Sequence, residues 1–239
     1  MTSESVTPQI PASADTNFLP GPVLLLGAPG VGKGTQAQLL MAEFGIPQIS
    51  TGDILRENIA KGTELGKTAK ELMDQGQLVP DQIVNDMVQT RLTGDDVHAG
   101  YILDGFPRTI AQATWLDTHL PIFRETPPLV AVSIRVDESE LLRRITGRRI
   151  CPVCKRIYNI YSHPPVKPGV CDIDGTPLQH RSDDTEAAFI ERMKAYESLT
   201  APVIEHYRSS NRFREVDGGA LVEQVARSII AALKELRQA

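Results

Sequence analysis

The apolar positions of the chain fall into two alternating patterns. Val23-Leu24-Leu25-Leu26 is an unbroken apolar run that stops at Gly27, as expected of a strand buried on both faces of a parallel sheet. After a Gly-rich turn, Ala37, Leu39, Leu40 and Phe44 recur at helical spacing and predict a helix over 36–44. Further strands are predicted at 101–104, ended by the turn Gly105-Phe106-Pro107, and at 129–136. Helical patterns cover 54–61, 63–75, 80–92, 138–146, 184–205 and 221–237. Strands alternating with helices call for an α/β layered fold. There is no internal repeat.

Two stretches interrupt this alternation. Residues 50–79 are helical and polar without a strand, the signature of a small lobe projecting from the sheet. Residues 147–183 change character to Cys, Pro, Gly, Tyr and His with little helical periodicity. That stretch reads as a compact insert held by something other than a hydrophobic core. The remaining segments, 21–49, 80–146 and 184–239, form the core.

Composition narrows the classes of function. With 239 residues the chain can bury one sizeable core, and a formal net charge of -5 leaves no electrostatic footprint for nucleic acid or an anionic membrane. No apolar run approaches the roughly 20 residues that span a bilayer. Residues 1–20 are rich in Ser, Thr, Pro and Ala and contain no Lys or Arg. They lack the basic start of a signal peptide and the Arg-rich face of a transit peptide, and read as a flexible extension. Three clustered cysteines argue against a disulfide framework. The expected setting is the cytoplasm, as a monomer.

Phosphate chemistry must therefore use locally placed cations, and the sequence supplies them. Gly27-Ala28-Pro29-Gly30-Val31-Gly32-Lys33-Gly34-Thr35 carries the G-x-x-x-x-G-K pattern between a buried strand and a helix. Its glycines let successive N–H groups turn inward at a helix N-terminus and cradle an anion. Lys33 adds a mobile charge for β/γ-phosphates, and Thr35 a hydroxyl near a metal. One departure stands out: Gly34 occupies the place of the usual Ser or Thr. Such a loop is shared by ATPases, switch GTPases and kinases. A kinase needs a second phosphate-binding set, for which Arg56, Arg108, Arg144, Arg148, Arg181 and Arg192 are candidates. Arg143 and Arg149 read as structural or solvent-facing. Asp104, ending a strand, could hold Mg²⁺ through water.

Gly27 to Gln36, with its Gly34 departure, resembles the phosphate loop of the adenylate kinase family. So do Ser50-Thr51-Gly52-Asp53-Ile54-Leu55-Arg56, Leu103-Asp104-Gly105-Phe106-Pro107-Arg108 with Gln112, and Arg181-Ser182-Asp183-Asp184 with Arg192, in family order. The resemblance leaves out only the first twenty residues. It implies a P-loop NTPase-type parallel sheet flanked by helices, with an AMP-binding lobe (50–79) and a lid (147–183). It implies reversible, Mg²⁺-dependent transfer between ATP and AMP to give two ADP. It gives ATP contacts at Gly30, Val31, Gly32, Lys33, Gly34, Thr35, Arg144, Arg148, Ile157, Tyr158 and, through backbone, Ala220. It gives AMP contacts at Thr51, Arg56, Gln77, Leu78, Val79, Gly105, Phe106, Pro107, Arg108, Gln112, Arg181 and Arg192. Lys33, Arg108, Arg144, Arg148, Arg181 and Arg192 are the implied catalytic set, Asp183 and Asp184 orient the lid arginines, and Phe106-Pro107 is implied to be cis. Gln112 suits adenine, since an amide can pair with both the amino group and a ring nitrogen. Two rivals stay open: a sister kinase with another base preference, and a P-loop switch without acceptor chemistry.

Cys151-x₂-Cys154, sixteen residues, then Cys171-x₂-Asp174 mirrors the paired-knuckle spacing of a zinc site. Three thiolates and a carboxylate can close a tetrahedron around Zn²⁺, leaving no open position and hence a structural role. A 37-residue lobe is too small for a core of its own. His163, His180 and Asp172 are alternative fourth ligands, and a metal-free lid with free thiols is the competing reading. The resembled family includes lids with this Cys-Cys-Cys-Asp set.

Overall fold

A computed structural model describes residues 18–119 and 127–238. Its centre is a five-stranded parallel sheet made of β1 (Gly21–Leu26), β2 (Gln48–Ser50), β3 (Gly100–Asp104), β4 (Val130–Arg135) and β7 (Phe213–Asp217). The strands lie in the order β2-β3-β1-β4-β7. All six residues of β1 are buried because the sheet is covered on both sides. Successive side chains alternate accordingly: Val23 and Leu25 enter one core, Leu24 and Leu26 the other. The first core is closed by α1 (Lys33–Phe44) and α9 (Val222–Gln238) through Leu40, Ile229 and Leu233. The second is closed by α4 (Asp81–Leu92), α5 (Ile110–His119) and α8 (Ala201–Arg208) through Val88, Leu116 and Val203.

The projecting lobe is a helix pair, α2 (Thr51–Lys61) and α3 (Glu64–Asp74). Ser50 caps α2 by accepting from Asp53 N at 3.2 Å, and Thr63 caps α3 by accepting from Gly66 N at 3.0 Å. α6 (Glu138–Thr146) leads into the insert, whose ordered core is the antiparallel hairpin β5 (Arg148–Ile150) and β6 (Ile157–Asn159). The chain then returns through α7 (Glu186–Ala195).

Among the described residues, five strands and α-helices are absent from the sequence pattern: β2, α5, β7 and the hairpin strands β5 and β6 inside the insert. β2 has three residues and one buried side chain, Ile49. β7 is an edge strand that buries Phe213 and Val216, three apart, so it shows no alternation. In α5 only Gln112, Ala113 and Leu116 are buried, and a polar residue inside the stripe hides it. The helix expected over 184–205 is broken by a π turn at Tyr196–Thr200. Pro202, at the start of α8, has no N–H to continue the α-helical ladder.

Of the extension, residues 1–17 lie outside the described residues. Phe18, in its last three, packs on Phe44 with ring centroids 5.5 Å apart. Pro20 O accepts from Arg237 Nε at 2.8 Å. Those residues belong to the packed body of the sheet domain. No helix among the described residues is long and apolar enough to cross a membrane.

Candidate functional site

The parallel strands end on one side in a cavity of about 1940 Å³ bounded by the loop after β1, the α2–α3 lobe and the insert. Ligand pockets for one drug-sized molecule run to roughly 300–1,000 Å³. This space is sized for two. The insert lies over it: Gln38 Nε2 donates to Lys155 O at 2.6 Å, Arg181 Nη2 to Asp53 Oδ1 at 3.1 Å, and Ser182 Oγ to Asp74 Oδ1 at 3.2 Å.

At one end stands the glycine loop. Gly27 has φ 134 and Gly30 φ 91, and a Cβ on them would lie 2.4 Å from Ile134 O and 2.9 Å from Leu141 O. Only glycine fits either place. Gly32 occupies the cap position of α1 and offers no side chain, so the first-turn amides face the cavity for an incoming anion. Lys33 Nζ folds over the loop and donates to Gly27 O at 2.7 Å and Ala28 O at 3.0 Å. Burial, with the charges of Arg108, Arg192 and Arg148 added, pushes this ammonium down to about 8 against the pull of Asp104.

A Cβ on Gly34 would sit 3.6 Å from Asp104 Oδ2 and 3.4 Å from Ile157 Cδ1. Both are ordinary contacts, and the aspartate is oriented by Gln48 Nε2, which donates to it at 2.9 Å. The carboxylate oxygen suits Mg²⁺, which keeps much of its water.

The same cavity is lined by guanidinium groups drawn from five elements. Arg56 pairs with Asp53 at 2.7 Å and reaches Asp183 at 3.9 Å. Arg148 makes a two-point pair with the fully buried Asp184. Arg192 lies 3.3 Å from Asp183 and 3.8 Å from Asp184. Arg108 makes no ion pair among the described residues; its Nε donates to Gly105 O at 2.8 Å, the carbonyl that also receives Thr51 Oγ1 at 3.0 Å. Arg56, Arg108, Arg148, Arg181, Arg192 and Lys33 thus face Asp53, Asp104, Asp183 and Asp184, an excess of two positive charges. Burial, with Arg148 close to both, pushes Arg181 and Arg192 down to about 10. They stay charged at neutral pH, but in a setting that favours a bound anion. Burial alone would raise Asp183, yet Arg192, Arg56, Arg181 and Arg148 hold its carboxyl below the usual range.

The structure brings all of the residues singled out for ATP and AMP to this cavity, Gln77, Leu78, Val79, Phe106, Pro107 and Ala220 included. The Phe106-Pro107 bond is cis. Two residues carry constraints not visible in the sequence. The Tyr158 hydroxyl points into the insert, accepting from Asp172 N at 2.9 Å and lying 3.5 Å from Cys171 Sγ, so its side chain is committed to the lobe and not to a ligand. Arg144 pairs with Glu140 at 2.9 Å and donates to Gly218 O at 3.1 Å, which sets it at the rim on the Ala220 side. Asp53, Asp81 and Gln48 were not picked out, although each contacts a residue that was; Asp53 lies inside a quoted motif, while Asp81 and Gln48 carry no local signal.

A glycine cradle and a set of arginines on one cavity, each built by the expected motifs, invite comparison with known proteins. The family model described as adenylate kinase matches residues 25–212. The chain belongs to the adenylate kinase family. It is 48% identical over 211 residues to an adenylate kinase of Thermoanaerobacter sp. (strain X514), covering 88% of this chain and 97% of the relative. It is 45% identical over 215 residues to one of Methanothrix thermoacetophila (90% and 99% covered) and 46% identical over 215 residues to one of Archaeoglobus fulgidus (90% and 99% covered).

In this member of the adenylate kinase family, the insert gathers its acids at one point. Ligand atoms of Cys151, Cys154, Cys171 and Asp174 all lie within 4.8 Å of one another, and the three cysteines are free. Cys154 and Cys171 Sγ are 3.5 Å apart, and Cys151 Sγ lies 3.3 Å from Asp174 Oδ2. Sulfurs about 2.3 Å from a tetrahedral zinc sit at such separations. Cys154 N also donates to Cys151 Sγ at 3.4 Å, as expected where a tight turn aims two thiolates at one ion. Of the alternatives, Asp172 Oδ1 instead accepts from Val166 N at 2.9 Å, and neither histidine joins the group.

Proposed function

We propose that this chain transfers a phosphoryl group reversibly between Mg·ATP and AMP, giving two ADP. The observation that carries the reading is the pairing of an amide-lined cradle with an arginine ring across one covered cavity. Donor phosphates lie on the loop Gly30–Thr35, with Lys33 leaving its own loop carbonyls for the β/γ-phosphates, and the adenosine runs towards Arg144 and the backbone of Ala220. The acceptor lies against Thr51, Arg56 and 77–79, its phosphate held by Arg56, Arg108, Arg181 and Arg192 and its base by Gln112. Transfer of this kind depends on in-line positioning and on neutralising charge spread over the moving group, more than on a strong base. Mg²⁺, when bound near Asp104, supplies further charge neutralisation on the phosphate oxygens.

In this reading, residues 50–79 close on AMP and residues 147–183 close on ATP over the core of 21–49, 80–146 and 184–239. The Arg181–Asp53 and Ser182–Asp74 contacts between the two covers support it. Closure excludes water, which would otherwise accept the phosphoryl group. Cys151, Cys154, Cys171 and Asp174 hold a structural zinc that stands in for the core this lobe lacks. A cytoplasmic monomer is the setting we infer.

The decisive measurement is ADP formation with Mg·ATP and each of AMP, GMP, CMP and UMP. AMP should lead by a wide margin; equal use of another monophosphate, or nucleotide binding without ADP formation, would overturn the assignment. Metal analysis of purified protein tests the lid separately. One zinc per chain is expected, and Cys171→Ala should lose it along with several degrees of Tm.

A further inference from the structure

A carboxamide does not by itself tell one purine from another. Adenine offers a ring nitrogen that accepts and an amino group that donates; hypoxanthine and guanine offer the reverse, a ring N–H and a carbonyl oxygen. A glutamine turned by half a revolution about its last bond exchanges its own donor and acceptor, and so meets either pair equally well. Selection for adenine therefore requires that the amide be unable to turn.

Gln112 is held against that turn. Its Nε2 donates to Asp81 Oδ1 at 2.8 Å, and its Oε1 accepts from Arg108 N at 2.7 Å. Turning it would set Oε1 against a carboxylate oxygen and Nε2 against a backbone N–H, two contacts between like partners. Asp81 is itself fixed. Its Oδ2 accepts from Thr109 Oγ1 at 2.8 Å, and Thr109 Oγ1 accepts from Gln112 N at 3.1 Å. The hydrogen bonds close into a ring joining the first residue of α4 to the first turn of α5. Gln112 is 2% exposed and lines the cavity, whereas Asp81 does not line it. The amide keeps one N–H and one lone pair in a set order for a ligand.

We propose that Asp81 is a specificity-determining positioning residue: by locking the Gln112 amide it makes the acceptor site select a 6-aminopurine monophosphate over a 6-oxopurine one. The inference rests on the reading that Gln112 meets the acceptor base. A site built to pair with one set of donors and acceptors rejects the reversed set, because its buried polar groups are then left unpaired.

AMP and IMP differ at just these positions, so the readout is the ratio of their kcat/KM values with Mg·ATP. In Asp81→Asn the Nδ2 group can meet a turned Gln112 oxygen, so one of the two contacts that oppose the turn is gone and only the Arg108 N–H still opposes it. The AMP-to-IMP ratio should fall about tenfold or more, through both a loss for AMP and a gain for IMP, with the KM for ATP unmoved. Adding Asp81→Asn to Gln112→Ala should change the ratio no further, since the carboxylate acts only through the amide. An Asp81→Asn enzyme that slows equally with both nucleotides, while Gln112→Ala does lower the ratio, overturns the role of Asp81 and leaves the acceptor reading standing. A Gln112→Ala enzyme with an unchanged ratio overturns both. Should Asp81→Asn not fold, Asp81→Ala removes the same carboxylate contact to Gln112, and an unaltered ratio there is equally fatal.

Discussion

The two phosphate sites proposed for the cavity are built in different ways. The cradle is one contiguous stretch, 27–35, whose donors are backbone amides fixed by glycine geometry and by the start of α1. The ring is assembled from side chains on α2, the turn after β3, β5, the end of the insert and α7. A site made of backbone is preorganised by the fold itself; a site made of long side chains must be held by counter-charges until its ligand arrives. Asp53, Asp183 and Asp184 are those counter-charges. In the proposed cycle the cradle is ready throughout, and the ring is completed when the lobes close.

The largest expected effect follows from the one full charge at the cradle end. Lys33→Met should lower kcat by about 10³-fold or more, since backbone amides cannot follow the transferred group as an ammonium can. The fold should not suffer. An unfolded lysine keeps its proton up to the ordinary value of 10.5, whereas the buried Lys33 loses it at about 8. Between those values the unfolded chain holds more protons, so this group raises stability as pH rises and weighs against the fold at neutral pH. The Lys33→Met enzyme should therefore match or exceed the parent in Tm at pH 7. A parent-like kcat in a coupled ADP assay would remove Lys33 from the chemistry.

The same contrast explains what the sequence could reveal. The cradle is local, and its motif carried both position and chemistry; β1 and α1 around it were equally legible because full burial makes an unbroken apolar run. The cysteine spacing was legible for the same reason, since two residues between ligands is a local geometric demand. The ring was visible only as scattered arginines until their motifs were compared with a family. Which of them meet depends on register and lobe closure, as does the commitment of Tyr158 to the insert. Asp81 is 31 residues from Gln112, and no local pattern joins them. Strands β2 and β7 escaped because one or two buried side chains give no alternation.

A smaller effect is expected from conservative change in the ring. Arg192 sits between two carboxylates with a planar fork, and lysine cannot span both while also holding phosphate. Arg192→Lys should cost about 10²-fold in kcat/KM for AMP, in the range seen when one transition-state donor is lost. Affinity for ATP, titrated alone, should stay within a few-fold. An equal loss at both substrates would mean that the two ends are not separable.

The smallest effect is also the one that separates the ends most cleanly, because it needs no substitution. In the free enzyme Lys33 loses its proton near 8, driven first by burial, while Arg181 and Arg192 stay charged until about 10. The pH dependence of kcat/KM reports groups of the free enzyme. For ATP it should fall above about pH 8, approaching tenfold per unit, as the cradle loses its mobile charge. With Mg·ATP already bound, the phosphates hold the Lys33 proton, so the profile for AMP should stay level across the same range. Both profiles can be recorded in one coupled assay by exchanging which substrate is saturating. If they bend together at one pH, the titrating group serves both substrates, and the division between a backbone cradle and a side-chain ring fails as an account of how this site works.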